Sequence, residues 1–282
     1  YRLLKIDAQK PQEEFWTELI PEKEYVLTSA SLAGGKLVLN YLRDAFTHIE
    51  ICHYDGTPDY EFPLPGIGTS GGPRSDKDDP EAFYTFTSYN TPGEVYRYDF
   101  TTRESSLYYR PEVKFNPDDF QVDQFFYPSK DGTKVPMFLF YRKGMEKNGN
   151  NPTLLYGYGG FNISQVPGFS VQRLFFVEKG GILAVANLRG GGEYGEEWHK
   201  AGTKLQKQNV FDDFIAAGEF LVREKYTNPS KLAIQGGSNG GLLVGAVANQ
   251  RPDLFRVSLP AVGVMDMLRY HKFTIGWAWA TD

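Results

Sequence analysis

Ser238 stands in the run Gly236-Gly237-Ser238-Asn239-Gly240-Gly241. A serine with glycine two before and two after it has the spacing of a nucleophile held on a sharp turn. The apolar run Leu232 to Ile234 precedes it, and Leu242, Leu243, Ala246 and Val247 follow at helical spacing. Strand, turn and helix in that order lift the hydroxyl to the apex, because the glycines let the two elements pass closely. The amide of Asn239 then falls at a helix N-terminus, where partial positive charge favours a developing oxyanion. The chemistry in view is acyl transfer through a covalent intermediate. A glycine-rich loop whose serine merely caps the helix is the bland alternative.

The elements that must carry this turn can be read over residues 113–282. Phe120 to Tyr127 and Val135 to Tyr141 flank Asp131-Gly132, a hairpin signal. Thr153 to Tyr158 and Gly181 to Leu188 read as buried strands, Val171 to Val177 as a short helix, and Val257 to Val262 as a further strand. Asn209 is expected to cap a helix with Asp212 and Asp213 in its first turn and an apolar stripe through Phe211, Phe214, Ile215, Gly218, Leu221 and Val222. A hairpin feeding strands that alternate with helices predicts an α/β domain on a mostly parallel sheet, with reactive groups at the carboxyl ends of its strands, where Ser238 falls.

Residues 1–112 read differently. Leu3 to Asp7, Ile49 to Asp55 and Val95 to Asp99 are alternating strands that each end in an aspartate before a turn, 48 and 44 residues apart. That period suits four-stranded propeller blades. Further strands at Tyr25 to Thr28, Lys36 to Leu42 and Ala82 to Thr87 fill the intervals, with Gly66 to Pro80 expected as a long mobile loop. On pattern alone a β-sandwich stays open. Two or three blades cannot close a ring, so a propeller requires more chain than is present here.

The 282 residues are 41% hydrophobic, enough for packed cores. Residues 1–112 hold 11 Lys and Arg against 19 Asp and Glu, a net −8, and the remainder is net +3, so neither part favours nucleic acid. Cys52 is the only cysteine, which rules out an intrachain disulfide and fits a cytoplasmic setting, with a periplasmic one left open. No signal peptide or membrane-length apolar run is seen, and a soluble protein is expected. Gly190 to Gly195 formally matches a dinucleotide fingerprint, but Glu193 would repel a pyrophosphate and the acid that should follow on a second strand is missing. The histidines at 48, 53, 199 and 271 form no metal pattern. No cofactor and no metal are expected.

Longer motifs carry a resemblance. Leu155 to Phe161 (LYGYGGF), Ala184 to Gly195 (AVANLRGGGEYG), Gly236 to Gly241, Val264 to Leu268 (VMDML) and Trp277 to Asp282 (WAWATD) follow one another in the order of the prolyl oligopeptidase family of serine peptidases. The resemblance covers essentially all of residues 113–282 and is compatible with blade sequence before it. It implies β-propeller blades over 1–112, incomplete, followed over 113–282 by an α/β-hydrolase domain that lacks its C-terminal strands. Ser238 then looks like the acylating nucleophile, and Tyr158 like the hydroxyl that joins the Asn239 amide in the oxyanion hole. Trp279 resembles the indole on which a substrate proline stacks, with Phe161, Val264 and Asn239 in the same substrate pocket; Trp277 aligns with no pocket position.

Such a hydrolase needs an acid and then a histidine after its serine. His271 is not the family's base and His199 precedes Ser238, so the triad aspartate and histidine are expected beyond Asp282. The chain by itself is expected to be inactive, since an unassisted serine is a weak nucleophile, and to need the remaining parts of its own polypeptide. The implied activity is hydrolysis of short peptides after proline, with the propeller limiting access. Alternatives are a related oligopeptidase, aminopeptidase or acylaminoacyl-peptidase of the same architecture, and a non-catalytic propeller interaction protein. The expected partners are short proline-containing peptides, without nucleic acid or membrane.

Overall fold

The computed structural model describes all 282 residues, which divide into two compact units: Tyr1–Lys114 with Val166–Phe169, and Phe115–Gln165 with Ser170–Asp282.

The first unit opens with Leu3–Lys5 (β1) and Thr17–Ile20 (β2), paired antiparallel as a two-stranded sheet. Val26–Ala33 (β3), Lys36–Arg43 (β4), Phe46–Cys52 (β5) and Pro58–Glu61 (β6) then form a four-stranded meander in chain order. A second meander follows from Thr69–Ser70 (β7), Glu81–Ser88 (β8), Thr91–Asp99 (β9) and Glu104–Tyr109 (β10). The stretch expected as a long loop therefore contributes β7. Its two residues are too short for an alternating pattern to register, and they are held by pairing with Phe86 and Thr87.

The aspartate repeat has a physical cause. Asp7, Asp55 and Asp99 each accept, through Oδ1, the amide of the residue two places on, at 2.9, 3.0 and 2.7 Å from Gln9, Thr57 and Thr101. Each closes an Asx turn. In the two meanders that turn joins the third strand to the fourth. Apolar side chains of both sheets make one cluster, with Ile49, Ile51 and Phe62 against Tyr84, Phe86 and Tyr98.

The second unit is built on Phe120–Pro128 (β11), Lys134–Arg142 (β12), Thr153–Tyr156 (β13), Ile182–Ala186 (β14), Leu232–Gly237 (β15) and Val257–Ala261 (β16). The sheet order is β11-β12-β14-β13-β15-β16; the first two pairings are antiparallel and the last three parallel. Its helices are Val171–Glu178 (α1), Glu196–Lys200 (α2), Gln208–Arg223 (α3) and Asn239–Gln250 (α4). Leu155, Ala184 and Ile234 of the sheet are fully buried with Phe214, Leu221, Val244 and Val247 of α3 and α4.

One helix start differs from expectation. The turn Lys204–Gln206 runs straight into α3, so Lys207 takes the cap position without a side-chain cap and Asn209 lies inside the helix. The Asn209 amide instead donates to the Ala201 carbonyl at 2.9 Å. Asp213 is not a solvated first-turn acid but a fully buried one.

Candidate active site

The turn between β15 and α4 places Ser238 at φ 57° and ψ −116°, a left-handed conformation that costs a non-glycine residue about 1–3 kcal/mol. The neighbouring backbone holds it there. Its N–H donates to the Ala261 carbonyl at 2.9 Å, and its carbonyl accepts from the amides of Gly241 and Leu242. The glycines are sterically required. A Cβ on Gly236 would lie 2.3 Å from the Gly240 carbonyl oxygen, one on Gly240 2.6 Å from that of Gly157, and one on Gly241 2.6 Å from that of Ala261. Strand, loop and helix touch through bare backbone, and the Ser238 side chain is left exposed.

Tyr158 lies two residues beyond β13 and lines one cleft with Ser238. Burial pushes the phenol pKa up, so at neutral pH the group is a neutral donor. The side-chain amide of the buried Asn239 donates to the Tyr158 carbonyl at 2.6 Å, fixing the tyrosine loop to the elbow. As the first residue of α4, Asn239 has a backbone N–H with no acceptor inside the helix. A phenol and an amide thus flank the serine hydroxyl, in the arrangement that can receive negative charge on a carbonyl oxygen.

A cleft of about 590 Å³ opens at this point, and Ser238, Tyr158, Asn239, Phe161, Val264 and Trp279 all line it. The structure therefore brings together every side chain the sequence singled out. Trp279 sits on the Gly276–Thr281 turn and is half-buried, whereas Trp277 is 69% exposed. No histidine lines the cleft; His271 is exposed, and His199 is bonded to Asp282 at 2.7 Å. Lys207 and Asp282 also line the cleft; Lys207 carries no signal in its neighbourhood of sequence, and Asp282 ends the WAWATD motif without a role assigned to it.

Beneath the tyrosine loop the Gly190–Gly192 segment forms a support. Asn162 N–H donates to the Gly190 carbonyl, and a Cβ on Gly190 would lie 2.8 Å from the Gly159 carbonyl oxygen. These glycines accommodate backbone, not a phosphate. Arg189, 5% exposed, donates to Asp213 at 2.6 Å and to Asp131 at 2.5 Å, which brings the Asp131 carboxyl down to about 2. Glu193 is wholly buried, and that burial raises its carboxyl to about 7. Its Oε1 accepts from the Gln165 backbone N–H at 2.8 Å, and its Oε2 has no partner.

Comparison with known proteins follows the same division. A model of the prolyl oligopeptidase N-terminal β-propeller domain matches residues 1–111, and a model of the prolyl oligopeptidase family matches residues 167–282. The first match decides for propeller blades against a sandwich. The prolyl endopeptidase of Elizabethkingia meningoseptica is 49% identical over 281 residues, all of this chain and 40% of that protein. The prolyl endopeptidase of Dictyostelium discoideum is 46% identical over 270 residues, 94% of this chain and 35% of that protein. A solved prolyl endopeptidase structure superimposes with a TM-score of 0.92 at 48% identity, over 99% of this chain and 41% of that one. Prolyl oligopeptidase B from Galerina marginata, bound to a 25mer macrocyclization substrate, does so with a TM-score of 0.92 at 39% identity, over 100% of this chain and 40% of that one. The chain thus spans about 40% of the length of the curated relatives it matches. With blades and a strand–serine–helix elbow in matching order and identities near one half, this chain belongs to the prolyl oligopeptidase family.

Proposed function

We propose that, within a polypeptide of its relatives' length, this chain carries the nucleophile of a serine endopeptidase that cleaves short peptides on the carboxyl side of proline. The observation that carries the reading is Ser238 on a strained elbow, in one cleft with Tyr158 and Trp279. Ser238 Oγ attacks the prolyl carbonyl carbon, and its proton passes to a histidine supplied from outside this chain. The carbonyl oxygen, now negative, takes hydrogen bonds from Tyr158 and the Asn239 amide. Collapse expels the amine, which leaves with that proton, and water then repeats the sequence on the acyl-enzyme.

Proline fits the slot between Trp279, Phe161 and Val264 because its ring is rigid, apolar and without an N–H to satisfy. The one acidic side chain in the cleft, Asp282, is 6% exposed and already paired with His199 and Lys207. That favours proline over the cationic side chains taken by an oligopeptidase with a charged pocket.

The test uses the full-length polypeptide and an N-blocked Gly-Pro chromogenic substrate. Ser238→Ala is expected to lower kcat on the order of 10⁶-fold, and a phosphonate is expected to label Ser238 stoichiometrically. The 282-residue chain alone is expected to take up no label. Turnover by Ser238→Ala within tenfold of the unsubstituted enzyme ends the reading.

A further inference from the structure

Phe161 and Asn162, one on each side of a peptide bond in the cleft wall, both sit at φ 56°. Two consecutive non-glycine residues in the left-handed region persist only where the surroundings fix them. Asn162 N–H is held by the Gly190 carbonyl at 3.1 Å. Phe161 N–H is held by a side chain 121 residues away, the Asp282 carboxylate, at 3.0 Å.

That carboxylate is 6% exposed and needs its charge balanced. His199 Nε2 lies 2.7 Å from Oδ1 and Lys207 Nζ 3.3 Å from Oδ2. A carboxylate can only accept, so His199 donates from Nε2. Lys207 also donates to the Gly159 carbonyl at 3.4 Å, inside the tyrosine loop. The Asp282 N–H also closes the Gly276–Thr281 turn by donating to the Trp279 carbonyl at 3.3 Å. One residue therefore bonds to the backbone of both Phe161 and Trp279.

We propose that Asp282 is a positioning residue that sets the width of the proline slot, with His199 and Lys207 as the groups that hold it. It touches the backbones of the slot-forming residues and acts on substrate through them. The inference rests on the reading of the cleft as a proline pocket, and it adds which group determines selectivity there.

A slot held at the right gap rewards a flat ring, and loss of the gap penalises proline more than a smaller residue. The measurement is the ratio of kcat/KM for N-blocked Gly-Pro and Gly-Ala chromogenic substrates, in the full-length polypeptide. Asp282→Asn, which keeps the volume and removes the charge that binds Lys207, is expected to lower that ratio about tenfold, chiefly through KM for the prolyl substrate. Lys207→Met, which leaves the acceptor in place and removes one of its two holders, is expected to lower it by a smaller factor. Damage to the fold lowers both substrates in proportion and leaves the ratio alone. An unchanged ratio in either soluble variant overturns the proposal. Absence of any prolyl cleavage by the unsubstituted enzyme instead overturns the reading of the pocket, so the two failures are distinguishable.

Discussion

The cleft has two supports made by different means. On the elbow side, Gly236, Gly240 and Gly241 let backbone press on backbone, and nearly every constraint runs between carbonyls and amides of β15, α4 and the tyrosine loop. Elsewhere the constraints are side-chain charges, most of them buried: Asp282 with His199 and Lys207, Arg189 with the buried Asp213 and the exposed Asp131, and the lone acid Glu193. A backbone support has no side chain to lose and is insensitive to pH. A charged support depends on partners far apart in sequence and on which of them are ionised.

The largest test of the backbone side is Tyr158→Phe, which removes one donor and leaves the ring. In the full-length enzyme kcat should fall about 10²–10³-fold with little change in KM, since one oxyanion donor is worth roughly 3–4 kcal/mol of barrier. A rise in KM at constant kcat would mean that Tyr158 binds substrate in the ground state and not the transition state.

The next test concerns charge. Glu193 has its folded carboxyl raised to about 7 from an ordinary 4.5. Its favourable contribution is therefore complete below about pH 4.5 and is lost as pH rises through 7, where the folded protein comes to carry an unpaired buried carboxylate. At 1.36 kcal/mol per unit, stability should drop by about 2–3 kcal/mol between pH 5 and pH 8 from this group. Glu193→Gln should flatten that slope, as read from denaturant midpoints across the range. A slope that survives the substitution would assign the pH sensitivity to another group.

The smallest effects separate the two tryptophans. Trp279→Ala should cost about 10–100-fold in kcat/KM for prolyl substrates. Trp277→Ala, at an exposed position, should change stability by no more than about 0.5 kcal/mol. Equal losses from both would remove the distinction between slot and surface.

This contrast also explains what could be read from sequence. The elbow is legible because steric demands between residues two and three apart leave a fixed local pattern around Ser238. The blade period is legible because Asp7, Asp55 and Asp99 each close their own turn within two residues. Asp282 ends a recognisable motif, but its contacts are not legible there, since its partners at 161, 199 and 207 lie 75 to 121 residues away and no spacing rule links them. The start of α3 is hidden for a related reason. Asn209 has the composition of a cap, but the preceding turn already supplied the helix entry and left Asn209 free to bond Ala201. Strand β7 leaves no mark in the sequence because two residues cannot show an alternation.

The sheet order carries a consequence for synthesis. Strand β14 lies between β12 and β13, so the apolar edge from Met137 to Phe140 finds its partner only when residues 183 to 186 have left the ribosome. At elongation rates of about 5–20 residues per second that interval lasts several seconds. Nascent chains therefore pass through a stage in which the future middle of the hydrolase sheet is an open, sticky margin. Slowed translation across residues 141 to 182 would prolong it and raise the yield of aggregate without altering a single native contact.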